Sequence, residues 1–402
     1  MSTVGRTTPI HTTEDPVAKP RRERGMLFMF DPLLLLAALG LVACSLITLK
    51  GATRHAMPGH PLYYVERQGI YAAIGVLFVL LLSRIDYSRL REYRYGMYGL
   101  LIALNIVVYG MPAIRGSRRW IPFPLFQIQS SEFGKILLIA SLSAFLVNRA
   151  RRLTDWSTTA RIMLLALIPA MIVIPQPDLG TGLVYVAVAF TVLFVGGTTW
   201  KQLTALAALF AVAVTFVLAI GPAVGVHVLK PYQVQRLTGF LNPSHDPRNQ
   251  TYNITESLIA IGSGEKTGRG VAHATQTNLH FLPENQTDFV FAVVGETYGF
   301  VGAAVVLSLY ALLIWRALRI LTMSKNLYGS LIVGGVLAML MFQVLVNVGM
   351  TIGIMPITGV PLPLMSYGGS SVIVTFIALG LLESIHIQAR MTAAGKSRSL
   401  VS

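Results

Sequence analysis

The sequence predicts an all-α polytopic membrane protein with about ten transmembrane helices and a large extracytoplasmic loop between the seventh and the eighth. Hydrophobic residues make up 54% of the 402-residue chain, and charged residues make up only 12%. Soluble domains carry roughly a quarter of charged residues. The apolar residues also fall into runs long enough to cross a bilayer, for which a helix needs about 20 residues.

Ten such runs define the domain organisation. We expect helices at about 27–49, 64–83, 95–111, 132–148, 160–176, 179–197, 201–228, 288–315, 328–352 and 366–388. A polar, proline-containing and basic tail at 1–25 is predicted to be disordered. The membrane domain covers 26–390, with its large loop at about 229–287, and a C-terminal tail follows at 391–402.

The basic residues indicate how these helices are oriented. A net charge of +15 would suggest nucleic acid in a soluble protein. In a membrane protein it reflects basic cytoplasmic loops and attraction to anionic lipid, so we expect membrane lipid and no nucleic acid as a partner. Placing both termini in the cytoplasm puts 20 Lys and Arg residues inside and 12 outside, which is the expected direction of the bias.

In this orientation the fourth, sixth, eighth and tenth helices begin at the outer face. Polar residues stand at these four ends: Ser131, Glu132 and Lys135; Gln176 and Asp178; Thr287 and Asp288; and Ser366, Ser370 and Ser371. Helix N-termini carry unpaired N–H groups and partial positive charge, so four together would form an anion-binding floor. Ser and Asp are also ordinary N-caps, and this alternative stays open at each end.

Lys135 is harder to explain as part of a cap. A cation in the first turn of a helix opposes the helix dipole unless an anion is near. Glu132 lies three residues earlier on the same helix face and could be that anion. We therefore expect Lys135 to face a ligand.

Asp288 is the predicted chemical centre, because an ionisable residue at the membrane edge is a candidate functional group. The neighbouring acids, Glu284 and Glu296, are not recognisably spaced as the carboxylate pair of a glycosidase. If the substrate is instead a sugar on a lipid pyrophosphate, one base is enough, because the leaving group requires cations rather than an acid. Asp288 would be that base, and Arg119, Lys135, Arg236 or a divalent ion would hold the pyrophosphate. The alternative is that Asp288 only caps the eighth helix.

Two other patterns carry no function. Residues 262–267, Gly-Ser-Gly-Glu-Lys-Thr, invite comparison with a phosphate loop, but Glu265 interrupts the Gly-Lys-Thr core and no strand precedes it. The single cysteine, Cys44, excludes an intramolecular disulfide and a cysteine metal cluster.

Several motifs together resemble those of the SEDS family (shape, elongation, division and sporulation). They run through the chain in family order: Arg119-Trp120-Ile121, Ser131-Glu132-Phe133-Gly134-Lys135, Gln176-Pro177-Asp178-Leu179-Gly180, KPYQVQRL at 230–237, Leu282-Pro283-Glu284 with Thr287-Asp288-Phe289, and SYGGSS at 366–371. The stretches ITGVPLP at 357–363 and TQTNL at 275–279 look like the rod-shape branch, RodA. Gly295-Glu296 is closer to the division branch, FtsW.

The resemblance implies a peptidoglycan glycosyltransferase that polymerises lipid II on the outer face of the bacterial cytoplasmic membrane during cell elongation. It also implies a class B penicillin-binding protein as transpeptidase partner, further proteins of the elongation machinery, and a divalent cation, Mg²⁺ or Mn²⁺, with unknown ligands. The family's essential acid falls on Asp288, and its polar set falls on Arg119, Glu132, Lys135, Asp178, Arg236 and Glu296. To this substrate-binding set we add residues of the matching stretches: Gln276, Glu284, Ser366, Ser370 and Ser371.

The chain departs from the family pattern at three positions. Gln286 stands in place of a histidine, Ser130 in place of a proline, and Thr297 in place of the second acid of a Glu-Glu pair. Gln286 leaves Asp288 without a titrating neighbour two residues away, so we assign no proton relay there. Thr297 removes one possible cation ligand.

Two functions other than catalysis stay open, transport of lipid II across the bilayer and a scaffold without catalysis. A transporter would favour an inverted repeat and charged residues near the bilayer midplane. Here the charged residues lie at helix ends, which favours chemistry at the outer surface.

Overall fold

The computed structural model describes residues 29–54, 59–113, 117–122, 127–220, 233–234, 236, 252–279 and 281–399. Its helices and strands, in chain order, are α1 (Pro32–Ala52), α2 (Tyr63–Leu82), α3 (Arg94–Val107), β1 (Trp120–Pro122), β2 (Gln127–Gln129), α4 (Ser130–Val147), α5 (Trp156–Val173), α6 (Leu179–Gly196), α7 (Trp200–Thr215), α8 (Tyr252–Ser263), α9 (Thr275–Asn278), α10 (Val290–Met323), α11 (Leu327–Thr351) and α12 (Gly369–Ser399). The two strands pair antiparallel, with Ile121 opposite Ile128.

The helices match the ten predicted segments and confirm an all-α polytopic membrane protein. Within the described residues, nine helices are long and apolar enough to cross a membrane. The tenth segment is α3, which has 14 residues and continues into a 3₁₀ turn at Val108–Gly110. The two remaining helices, α8 and α9, belong to the large loop between α7 and α10.

Several predicted boundaries need correction. α10 begins at Val290 rather than 288, and α12 begins at Gly369 rather than 366. α12 also continues to Ser399, past the predicted start of the C-terminal tail at 391. The predicted tail at 1–25 and much of the loop at 229–287 lie outside the described residues.

The last two helices form the centre of the bundle. α12 packs against α2, α4 and α10, and α11 packs against α4, α6 and α10. In the apolar span of α12, 94% of the residues are buried, compared with 11% in that of α7. The difference reflects position in the bundle, with α12 at its centre and α7 at its periphery.

A partly buried ion pair fastens three helices at the end of the bundle opposite Asp288. Arg316 of α10 donates three hydrogen bonds to the carboxylate of Asp31, the shortest of 2.6 Å. Asp31 also caps α1 by accepting the N–H groups of Leu33 and Leu34, and its own N–H donates to Glu383 of α12. These hydrogen bonds offset the cost of removing the charges from water.

α10 is broken near its N-terminal end, and the large loop fills the break. Gly299 leaves the helical conformation, with φ 62° and ψ −158°. Four backbone hydrogen bonds then join α10 to the loop: Arg269 donates to Glu296, Gly270 to Thr297, Phe300 to Glu265, and Val301 to Lys266. The loop thereby satisfies the N–H and C=O groups that the break would otherwise leave unpaired.

This contact explains the glycine-rich stretch that resembles a phosphate loop. Its backbone lies so close to α10 that a Cβ atom added to Gly264 would lie 1.9 Å from the carbonyl oxygen of Gly295. Gly264 therefore permits the close approach of two backbone segments.

We expect Gly299→Ala to lower the free energy of unfolding by about 1–3 kcal/mol, because a Cβ atom is strained at this φ. The added atom would also lie 2.3 Å from the backbone nitrogen of Gly268. Thermal unfolding of the purified protein in detergent measures the effect. Gly262→Ala is the matched control, because nothing lies within 4 Å of the added Cβ. Equal unfolding temperatures for the two variants would contradict this explanation of the break.

Candidate active site

Side-chain hydrogen bonds bring the N-terminal ends of α4, α6, α10 and α12 together at one end of the bundle. The Ser131 hydroxyl of α4 donates to the Asp178 carboxylate before α6, at 2.6 Å. The Ser366 hydroxyl before α12 donates to the Thr287 carbonyl before α10. The Ser370 hydroxyl of α12 donates to the Gln127 carbonyl of β2, which leads directly into α4. The four ends therefore converge laterally, which is the condition that the anion-binding floor requires.

Asp288 lies at this convergence, two residues before α10, and is half-buried. The N-cap residue of α10 is Phe289, and no side chain caps the helix, so the capping alternative for Asp288 is wrong. Within the described part of the chain, no hydrogen bond is among the causes that shift the pKa of the Asp288 carboxyl group. The carboxylate is consequently available to a substrate.

Asn347 holds the backbone of Asp288 and was missed by the sequence analysis. It is fully buried in α11, and its Nδ2 donates hydrogen bonds of 2.8 Å to the carbonyls of Asp288 and Val360. The neighbouring Gly359 lies beside the carboxylate, and its φ of 72° is what favours glycine there, because an added Cβ would be in ordinary contact, 3.6 Å from Asp288 Oδ2. The available signal was an amide inside an apolar helix, where an unpaired polar group is costly.

The surroundings raise the pKa of the Asp288 carboxyl to about 6. Loss of hydration on burial is the largest cause, and the negative charge of Glu284 raises the pKa further. The positive charges of Arg119 and Arg236 lower it, and the charge of Asp178 raises it slightly. A carboxyl with this pKa is mostly ionised at neutral pH and can still take up a proton, which suits a general base.

Arg119 supplies a positive charge beside the carboxylate. It precedes β1, and its guanidinium lies 5.7 Å from the centroid of the Trp120 ring. Its Nε is buried and has no hydrogen-bond partner among the residues that the structure describes. A buried unsatisfied donor next to a carboxylate is suited to an incoming anion.

Glu132 and Lys135 form a separate buried pair. Their side chains are 2% and 1% exposed, and Lys135 Nζ lies 2.6 Å from Glu132 Oε1. Glu132 is therefore the anion that the position of Lys135 requires. The expectation that Lys135 faces a ligand needs correction, because its ammonium group points to Glu132. Neither residue is among the charges that act on Asp288. Substrate binding by this pair stays a prediction that requires the pair to separate.

Asp178 and Glu296 stabilise the ends of helices. Asp178 is the N-cap of α6 and accepts the Thr181 N–H. Glu296 is fully buried and accepts the N–H groups of Gln276 and Thr277 and the Thr277 hydroxyl, which fastens α9 to α10. In this structure the two predicted substrate ligands therefore position other elements, and Asp178 also contributes charge near Asp288.

The other predicted residues differ in how they are used. Ser366 and Ser370 are used in the hydrogen bonds that join the helix ends. Gln276 Oε1 and Ser371 Oγ are buried without a partner in the described ranges, so both could bind substrate. Glu284 is exposed and accepts the Thr287 hydroxyl at 3.0 Å.

The fold and this site define a polytopic membrane protein that presents one carboxylate between basic side chains where four helix ends meet. The chain belongs to the FtsW, RodA and SpoVE family, described as cell cycle protein, whose profile matches residues 26–391. This is the SEDS family that the sequence motifs resemble.

Relatives and solved structures are similar over most of their lengths. The peptidoglycan glycosyltransferase MrdB of Escherichia coli (strain K12) is 36% identical over 362 residues, covering 90% of this chain and 94% of MrdB. The peptidoglycan glycosyltransferase RodA of Treponema pallidum (strain Nichols) is 34% identical, covering 89% and 97%.

Two solved structures share the fold. The rod shape determining protein RodA of Thermus thermophilus matches with a TM-score of 0.62 and 30% identity, covering 89% of this chain and 96% of that one. A structure on the coordination of polymerization and crosslinking by a peptidoglycan synthase complex matches with a TM-score of 0.74 and 33% identity, covering 90% and 98%.

Proposed function

We propose that this chain is a peptidoglycan glycosyltransferase that polymerises lipid II into glycan strands and releases undecaprenyl pyrophosphate, in cell elongation and shape maintenance. The observation that carries the proposal is the carboxyl of Asp288, with a pKa of about 6, between the charges of Arg119 and Arg236. The relatives named for this activity cover about nine tenths of the chain.

The reaction needs one base and a stabilised leaving group. Ionised Asp288 accepts the proton of a sugar hydroxyl on one substrate. The hydroxyl oxygen attacks the anomeric carbon of the second, lipid-linked substrate with inversion. The bond from that carbon to the pyrophosphate oxygen breaks, and its electron pair leaves with undecaprenyl pyrophosphate. Arg119 and Arg236 stabilise the negative charge that develops on the leaving group.

A divalent cation, Mg²⁺ or Mn²⁺, is part of the proposal. In the described ranges no group of three or more His, Cys, Asp or Glu side chains could hold a metal ion. The charges of Glu284 and Asp288 interact, however, and two carboxylates fit a cation whose other ligands are substrate phosphates and water. Glu284, with Asp288 beside it, would hold the ion, which would supply positive charge at the pyrophosphate.

The proposed setting is the bacterial cytoplasmic membrane, with both termini in the cytoplasm and the Asp288 end of the bundle outside. The arginines Arg84, Arg89 and Arg91 are exposed at the opposite end, in agreement with the positive-inside bias. We propose a class B penicillin-binding protein as partner, supplying crosslinking, together with other proteins of the elongation machinery. The fold shared with a component of a peptidoglycan synthase complex supports such a partner.

We expect Asp288→Asn to lower glycan polymerisation by roughly 10²–10⁴-fold, the usual contribution of a general base. The assay uses lipid II and protein reconstituted with its transpeptidase partner, with polymer resolved on gels. Glu92→Gln, an exposed acid at the other end of the bundle, is the matched control. Equal amounts of polymer from Asp288→Asn and from the wild type would contradict the role of Asp288 as general base. Wild-type transfer of lipid II across vesicles without polymer would show a transporter instead.

The rate of polymerisation should fall as pH falls through about 6, because protonated Asp288 cannot accept a proton. Arg119→Gln should move this fall in rate to higher pH, since it removes a charge that lowers the pKa of Asp288. Initial rates between pH 5 and 8 provide the measurement, with Arg84→Gln, exposed at the other end of the bundle, as the control. A fall at the same pH in Arg119→Gln and in the wild type would contradict the assignment.

Mn²⁺ binding, followed by electron paramagnetic resonance in the presence of undecaprenyl pyrophosphate, tests the cation. We expect Glu284→Gln and Asp288→Asn to weaken Mn²⁺ binding about tenfold each, because each removes one carboxylate from a site with few protein ligands. Glu92→Gln again serves as control. Unchanged Mn²⁺ affinity in both site variants would remove these carboxylates as ligands.

A further inference from the structure

Four tyrosines surround Arg67 near the N-terminal end of α2. We call Arg67, Tyr63, Tyr64, Tyr71 and Tyr367 the tyrosine cluster. The Arg67 guanidinium lies 4.5 Å from the centroid of the Tyr63 ring. The rings of Tyr64 and Tyr367 meet edge to face at 4.8 Å, and the Tyr71 ring lies 6.4 Å from that of Tyr367. Arginine and aromatic rings are thus gathered from α2 and from the segment before α12.

Hydrogen bonds connect this cluster to the candidate active site. The Tyr367 N–H donates to the Gln286 carbonyl at 2.8 Å, two residues before Asp288. The adjacent Ser366 hydroxyl donates to the Thr287 carbonyl. On the other side, Gln68 Nε2 donates to the Ser366 carbonyl at 3.1 Å. The position of Tyr367 relative to Asp288 is therefore set by direct backbone contacts.

Arg67 has no acidic counterpart in the part of the chain that the structure describes. The groups that interact with its charge are the phenol side chains of Tyr63, Tyr71 and Tyr367, and no ion pair joins it to Asp or Glu. Its side chain is half-buried. A half-buried guanidinium without a carboxylate is suited to bidentate binding of an anionic ligand group.

The arrangement differs from that of tyrosines that only anchor a protein at the membrane surface. Anchoring tyrosines place their rings among lipid head groups. Here Tyr71 is only 6% exposed, and the rings contact one another around the guanidinium. Tyr63, Tyr64, Arg67 and Tyr367 keep part of their surface accessible, so the cluster is open on one side.

We propose that the tyrosine cluster is a binding subsite for the head group of a pyrophosphate-linked sugar. The tyrosine rings would pack against the sugar, and Arg67 would bind its phosphate groups. The inference rests on the proposed function, since joining two lipid-linked sugars requires both to be held at once. Arg119 and Arg236 act at the reacting bond, so a second cationic subsite is needed for the other substrate.

Binding of lipid II to protein in nanodiscs, in the Asp288→Asn background to prevent turnover, tests the subsite. We expect Arg67→Gln to raise Kd about tenfold, the loss of one charge-assisted contact. Tyr64→Leu should raise Kd about threefold, whereas Tyr64→Phe should bind normally because the ring is kept. Arg84→Gln is the control, since it is exposed at the other end. Unchanged Kd in Arg67→Gln and Tyr64→Leu would overturn the proposal.

Two further comparisons complete the test. The first distinguishes ordinary lipid phosphate from the pyrophosphate of lipid II as the ligand of Arg67, and the second distinguishes failure of the subsite from failure of the proposed function. If Arg67 binds ordinary lipid phosphate, nanodiscs of phosphatidylglycerol will abolish the difference between Arg67→Gln and its parent, and this would overturn the subsite. A difference kept in these discs supports a pyrophosphate-sugar site. Because turnover is not measured, loss of binding in Arg67→Gln supports the subsite even if the wild type forms no polymer, a result that would contradict only the proposed function.

Discussion

The amide of Asn347 is the interaction on which the candidate site depends. Its two hydrogen bonds hold the Asp288 carbonyl and the Val360 carbonyl to the same buried side chain of α11. A base must keep its position relative to both substrates, and a carboxylate on a loop has little intrinsic order. Asn347 fixes the main chain of Asp288, while no hydrogen bond from the described residues is among the causes that shift the pKa of the carboxyl. The position of the base is therefore ordered without neutralising the carboxylate that reacts.

The polar groups around the site are mostly paired with one another, which leaves few charges to act on Asp288. Most of the polar groups at the converging helix ends are satisfied by one another: Ser131 with Asp178, Glu132 with Lys135, and Glu296 with α9. Such contacts remove unpaired polar atoms from the bundle interior. The few charges left to act on Asp288 are then decisive, since two arginines lower its pKa while burial and Glu284 raise it. The balance of these charges keeps the pKa of the Asp288 carboxyl close to neutral pH, so the carboxyl can change protonation state during the reaction.

The order of the helices and the common depth of their polar ends followed from the sequence, because apolar length and basic loops depend on local composition. The lateral convergence of these ends did not, because it depends on contacts between distant helices. The roles of individual residues followed less well. The sequence predicts Glu296 as a substrate-binding acid, whereas in the structure it accepts hydrogen bonds that fasten α9 to α10. Lys135 reads as a ligand cation, yet it is paired within its own helix. The contacts of Asn347 and of the tyrosine cluster join residues far apart in the chain, so no local pattern could reveal the partners.

The break in α10 shows how the large loop is held beside the candidate site. The loop is held there by backbone groups on both sides, from 264–270 to the residues around Gly299. Backbone hydrogen bonds place little demand on side-chain identity, but they exclude a Cβ atom where the chains meet. Gly264, in the stretch that looks like a nucleotide motif, is therefore required by packing against α10. Asp288 lies two residues before α10. The docking of the loop against α10 therefore also affects the position of the base.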